Sequence, residues 1–153
     1  MANLLIVFHD PSENVRRLAQ AVVDGASSPE ISGVDVRVAR ALEAGPNDLL
    51  WSDGVIFGTT ENFGYMSGAL KDFFDRSYYP CLDKVDAKPY ALFVKAGNDG
   101  TGTISAVQRI LTGLKLKPVC EPLLMVGSFQ EAWLAQCEEL GMTMAAGLEA
   151  GIF

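Results

Sequence analysis

Three stretches of this chain place small polar residues at the ends of apolar runs: residues 9–15, 59–67 and 95–103. Each is rich in Gly, Ser, Thr or Asn, and the other connections are plainer. A phosphate is held by backbone N–H groups at a helix start together with small hydroxyl donors. Ser12 and Asn14, with the amides around them, offer that set. A flat ring needs amides along its polar edge and an aromatic or apolar face. Phe63, Tyr65 and the glycine-rich stretch from Gly97 offer both.

The first stretch also has a reading that needs no ligand. Asp10-Pro11-Ser12-Glu13 follows the capping rules, with Asp10 as cap, Pro11 first and Glu13 third. Asp10 and Glu13 would repel a phosphate dianion unless Arg16 or Arg17 turns back to offset them. His9 is the single histidine, and at a strand end such a residue is more often structural than a general base. The chain has no Walker loop, no G-x-S-x-G elbow and no metal-ligand spacing. Gly97-x-x-Gly100-x-Gly102 by itself signals only a turn. No side chain is therefore assigned a catalytic or metal-binding role.

The elements that position these stretches follow from periodicity. Residues 3–8 form a continuous apolar run, which suits a strand buried on both faces. Val15, Leu18, Ala19, Val22 and Val23 then mark an amphipathic helix that ends around Gly25 to Pro29. Val34, Val36 and Val38 alternate with more polar residues, as expected of a strand at or near a sheet edge. After a turn at Gly45-Pro46-Asn47-Asp48 and a short helical turn at 49–51, Val55-Ile56-Phe57 reads as a strand running into the second stretch. The helix after it is expected to stop before Pro80. A strand over Tyr90 to Val94, a helix through Ile104 to Leu114, a strand over Leu123 to Val126 and a helix from Trp133 to Leu148 complete the chain. Pro118 and Pro122 confine the start of that last strand to an edge or an irregular lead-in.

This alternation predicts an α/β fold with a five-stranded parallel sheet and helices on both faces. Five strands fit the flavodoxin-like order 2-1-3-4-5, in which the loops after the first, third and fourth strands meet at one edge. With 153 residues and no linker or repeat, the chain reads as a single domain over 1–153. A net charge of −7 argues against nucleic-acid and anionic-membrane partners. No secretory leader or membrane span is expected, and Cys81, Cys120 and Cys137 read as reduced packing residues of a cytoplasmic protein.

The second stretch, Gly58-Thr59-Thr60-Glu61-Asn62-Phe63-Gly64-Tyr65-Met66-Ser67-Gly68, resembles the G-T-P-x-x-F-G-x-M-S-G loop of NAD(P)H-dependent FMN and quinone reductases, which are flavodoxin-like. The resemblance covers nearly the whole chain, including Glu139-Leu140-Gly141 through Gly147 in the closing helix. It implies an oxidoreductase that holds FMN and moves electrons from NAD(P)H to a quinone or similar small-molecule acceptor, or to a redox protein. It also implies that His9, Ser12, Glu13, Asn14 and Val15 occupy the phosphate loop, whose family form is roughly H-S-x-T-G-N-T. Asp10, Glu13 and Val15 depart from that form. Thr59, Thr60, Glu61, Asn62, Phe63, Gly64 and Tyr65 would then surround the ring, with Gly97, Asn98, Gly100 and Gly102 along its other edge. Dimers are common among the reductases it resembles. Two other readings stay open on the residues: an FMN electron carrier with no NAD(P)H site of its own, and a flavodoxin-like module that binds no flavin.

Overall fold

The computed structural model describes residues 1–153. Its sheet is built on β1 (Ala2–Phe8), β2 (Val34–Arg40), β3 (Gly54–Asn62), the two-residue β4 (Tyr65–Met66), β5 (Pro89–Ala96), β6 (Lys117–Pro118) and β7 (Leu123–Val126). Between them run α1 (Glu13–Ala26), α2 (Pro46–Trp51), α3 (Gly68–Cys81), α4 (Thr101–Gly113) and α5 (Ala132–Ala150). The parallel path is β2-β1-β3-β5, and β6 and β7 both add in parallel to β5. They are one edge strand interrupted at residues 119–122. Counted so, the order is the expected 2-1-3-4-5, with β2 at the other edge. The flavodoxin-like architecture is therefore present.

Strand alternation divides the core in two. Leu5, Val7, Val55, Phe57, Leu92 and Val94 face α3 and α4, where Phe57, Phe73 and Phe74 lie with ring centroids 5.3 to 6.3 Å apart. Leu4, Ile6, Phe8, Ile56, Ala91 and Phe93 face α1 and α5. Most of these strand residues are fully buried, and each large apolar side chain so removed from water contributes about 1.5–3 kcal/mol. Cys81 and Cys137 sit inside this packing and Cys120 is half-buried; all three are free thiols.

Three local expectations are corrected. The cap of α1 is Ser12, not Asp10: its hydroxyl accepts the Val15 N–H at 3.4 Å, and Glu13 is the first helical residue. The carboxylate of Asp10 is drawn away by two arginines. Helix α3 runs past Pro80 to Cys81, because a proline in the last turn removes only one intrahelical donor. The third correction concerns the stretch after Phe57. It is not an irregular loop: β3 continues to Asn62 and turns back into β4, pairing Asn62 with Tyr65 and Glu61 with Met66.

Candidate functional site

The carboxyl ends of β1, β3, β5 and β7 surround an open cleft of about 370 Å³, within the usual range of roughly 300–1,000 Å³ for small-molecule sites. From the start of α1 and its cap come Ser12, Asn14 and Val15; from β3, Thr60, Glu61 and Asn62; from β5 and its loop, Lys95 and Gly97. The loop after β7 closes the cleft with Gly127, Ser128 and Phe129. The loops expected to converge do so, and the loop after β7 joins them.

At the α1 side, the N–H groups of Glu13 and Asn14 have no intrahelical acceptor because they belong to the first turn. The repulsion expected from Asp10 is removed by its surroundings. Asp10 is buried, and its carboxylate accepts hydrogen bonds from Arg40 Nε at 3.0 Å, Arg40 Nη2 at 3.3 Å and Arg16 Nε at 3.3 Å. Burial alone would push this carboxyl up; Arg40 and then Arg16 outweigh it and hold it below its ordinary value. Arg16 does turn back, as the sequence suggested, whereas Arg17 bonds Glu131 instead. The second guanidinium comes from the end of β2.

At the β3 side, the hairpin is built by its turn. Phe63 and Gly64 have φ of 54° and 72°, the left-handed pair that a two-residue turn of primed type requires. This leaves the Phe63 ring fully exposed at the tip. Thr59 is buried beneath the hairpin; its hydroxyl donates to Thr60 O at 2.8 Å and accepts the Ser67 N–H at 3.0 Å. The Thr60 hydroxyl donates to Asn62 Oδ1 at 2.9 Å. Glu61 Oε2 accepts the Gly100 N–H at 2.6 Å, tying the hairpin to the start of α4. A Cβ on Gly102 would lie 2.7 Å from the Gly64 carbonyl oxygen, so the tip of the hairpin rests on α4.

The expected residues thus separate. Ser12, Asn14, Val15, Thr60, Glu61, Asn62 and Gly97 line the cleft. Thr59, Gly100 and Gly102 hold the hairpin against α4. Glu13, Phe63, Gly64, Tyr65 and Asn98 are exposed around it. His9 does not line the cleft; its N–H donates to Gly58 O at 3.1 Å, and its Nδ1 is buried without a hydrogen-bond partner. Sequence reasoning missed Lys95, Gly127, Ser128 and Phe129. The Gly-Ser pair after the β7 run carries the same strand-end signal as the other loops, and Lys95 is a lone charge closing an apolar strand.

Residues 38–131 match the family described as NADPH-dependent FMN reductase. The chain belongs to that family. It is 33% identical over 114 residues to a flavodoxin of Aquifex aeolicus, covering 74% of this chain and 60% of that protein. It is 34% identical over 97 residues to an NAD(P)H dehydrogenase (quinone) of Acidithiobacillus ferrooxidans, covering 50% of this chain and 48% of that one. The chain therefore spans about half the length of the curated relatives it matches. Among solved structures, an archaeal flavodoxin superposes with a TM-score of 0.78 at 18% identity, covering 96% of this chain and 99% of that one, which establishes the fold.

The donor set of the cleft fits the group this family's description names. Free first-turn amides, Asn14, Ser128 and the Lys95 ammonium suit an anionic end. Asn62, the open space beside Gly97 and the nearby Phe63 ring suit a flat heteroaromatic end. No helix is long and apolar enough to cross a membrane.

Proposed function

We propose that the cleft holds FMN and that the protein is an NAD(P)H-dependent FMN oxidoreductase passing electrons to a quinone or similar small acceptor. The observation that carries this reading is a single cleft with phosphate-type donors at the α1 end and Asn62, Gly97 and an exposed aromatic at the hairpin end. Family membership and the quinone dehydrogenase relative support it. When bound, FMN supplies the hydride and electron chemistry that no side chain in the cleft provides.

The chain's own residues bind and orient. The first-turn amides of α1, with Asn14, hold the phosphate end. Asn62 and the amides after Gly97 meet the polar edge of the ring. Phe63 and Tyr65 cover a face while leaving a way in for a second planar molecule. The Asp10–Arg16–Arg40 cluster removes one negative charge from the mouth of the phosphate end.

A second reading, an FMN electron carrier, is favoured by the net charge of −7 and by the Aquifex flavodoxin relative. Flavin-loaded protein should oxidise NADPH or NADH with a quinone acceptor faster than the same concentration of free FMN. A loaded, yellow protein with turnover no higher than free flavin supports the carrier instead.

A further inference from the structure

Lys95 is the one cation lining the cleft. Its place in the sheet fixes where its charge goes. Ala91 and Phe93, earlier on the same strand at alternate positions, pack with α1 and α5. Alternation therefore directs Lys95 to that face, where α1 begins. The ammonium lies 5.7 Å from the Trp133 ring centroid on α5, and the strand register sets Lys95 beside Thr60. Glu61, the one carboxylate lining the cleft, bonds the Gly100 N–H instead.

Lys95 Nζ donates to the carbonyl of Ala96 at 3.2 Å and pairs with no carboxylate. Lys88 is also without one but is held by the Leu49 and Leu50 carbonyls away from the cleft, whereas Lys95 lines it. A half-buried ammonium with no counter-ion is costly unless a ligand brings one. The α1 end is meanwhile short of free cationic donors. Ser12, Asn14 and Ser128 are uncharged, Arg16 and Arg40 are committed to Asp10, and Arg17 bonds Glu131.

We propose that Lys95 pairs with the phosphate of the bound flavin mononucleotide and so makes the cleft select phosphorylated flavin over riboflavin. The assignment rests on the flavin reading above. A lysine suits this place because its compact charge sits on a flexible stem and needs no fixed bidentate geometry. The charge reaches the phosphate from the end of β5, across β3 from the α1 loop, and offsets Glu13 and Val15 there.

The test is to titrate FMN and riboflavin, by flavin fluorescence, into the wild-type protein and into Lys95→Met and Lys95→Arg. Lys95→Met should weaken FMN roughly tenfold or more, the scale of one lost charge-assisted hydrogen bond, and leave riboflavin unchanged. Unchanged riboflavin binding also reports a folded cleft. Lys95→Arg, which keeps the charge, should recover most of the FMN preference. Unchanged FMN affinity in Lys95→Met, or equal loss of both flavins, overturns the assignment while the flavin reading stands. Wild-type protein that binds neither flavin overturns both.

Discussion

Asp10 illustrates how one side chain can be assigned two opposite roles from sequence and take neither. It is not the helix cap, and it does not confront a phosphate, because Arg16 and Arg40 bond its carboxylate from either side. Arg16 was within reach of a sequence argument, six positions away. Arg40 was not: it is thirty residues distant and arrives only because β2 pairs in register with β1, setting Arg40 beside Phe8. The folded-state carboxyl is held below its ordinary value, so the unfolded chain binds more protons across the interval between the two values. Stability from this cluster is accordingly present above about pH 4, the ordinary carboxylate range, and is lost as pH falls through the lower folded value. Asp10→Asn should cost about 1–2 kcal/mol near neutral pH, discounted because both guanidinium groups are half-exposed. The gap in urea midpoint between wild type and variant should narrow as pH is lowered. A gap independent of pH would mean that the cluster stabilises through packing rather than charge.

Among the elements, the buried parallel strands were plainly legible, since Leu4 to Val7 and Val55 to Phe57 are continuous apolar runs with no water-facing side. The helices were legible from their apolar spacing. The β3–β4 hairpin was not. Thr59-Thr60-Glu61-Asn62 is polar, and Phe63 holds the turn position where Asn or Asp usually advertises a two-residue turn. Much of the site's shape depends on this hairpin, so its loss from the sequence reading also mis-sorted Thr59, Gly100 and Gly102, which brace it rather than line the cleft. Phe63 holds a positive φ, a backbone conformation that costs a non-glycine residue stability, and its ring is fully exposed at the hairpin tip. The bracing itself is testable at Gly102. Gly102→Ala places a methyl 2.7 Å from the Gly64 carbonyl oxygen, a backbone atom that can yield only by shifting the hairpin. The substitution should cost about 1–3 kcal/mol, as overpacking does, and should weaken FMN binding although Gly102 does not line the cleft. Urea unfolding and a flavin titration on the same variant check both effects; full stability and full affinity together would show that the hairpin is not held by this contact.

At the scale of the whole molecule, the cleft draws on four strand ends, the start of α1 and the hairpin, elements separated by most of the chain. No one of them can recognise the ligand alone, so an occupied cleft links α1, the hairpin, and the loops after β5 and β7. A ligand that binds only this assembled state must stabilise it by mass action, by about 2.7 kcal/mol at a free concentration one hundred times its dissociation constant. For a chain of this length that corresponds to a rise in Tm of roughly 5–10 °C. The net charge of −7 opposes an incoming phosphate dianion at long range, but with a Debye length of about 8 Å at physiological salt that opposition is largely screened before the ligand reaches the cleft. Local donors then decide the affinity. The thermal shift with FMN should therefore persist at moderate salt, and riboflavin, which lacks the phosphate, should give a smaller shift at equal concentration. Equal shifts for the two ligands would place the binding energy in the ring end, at Asn62, Gly97 and the aromatic tip, and would strip the α1 end of its part in recognition. No shift with FMN at any concentration would leave a flavodoxin-like fold whose cleft serves a different ligand.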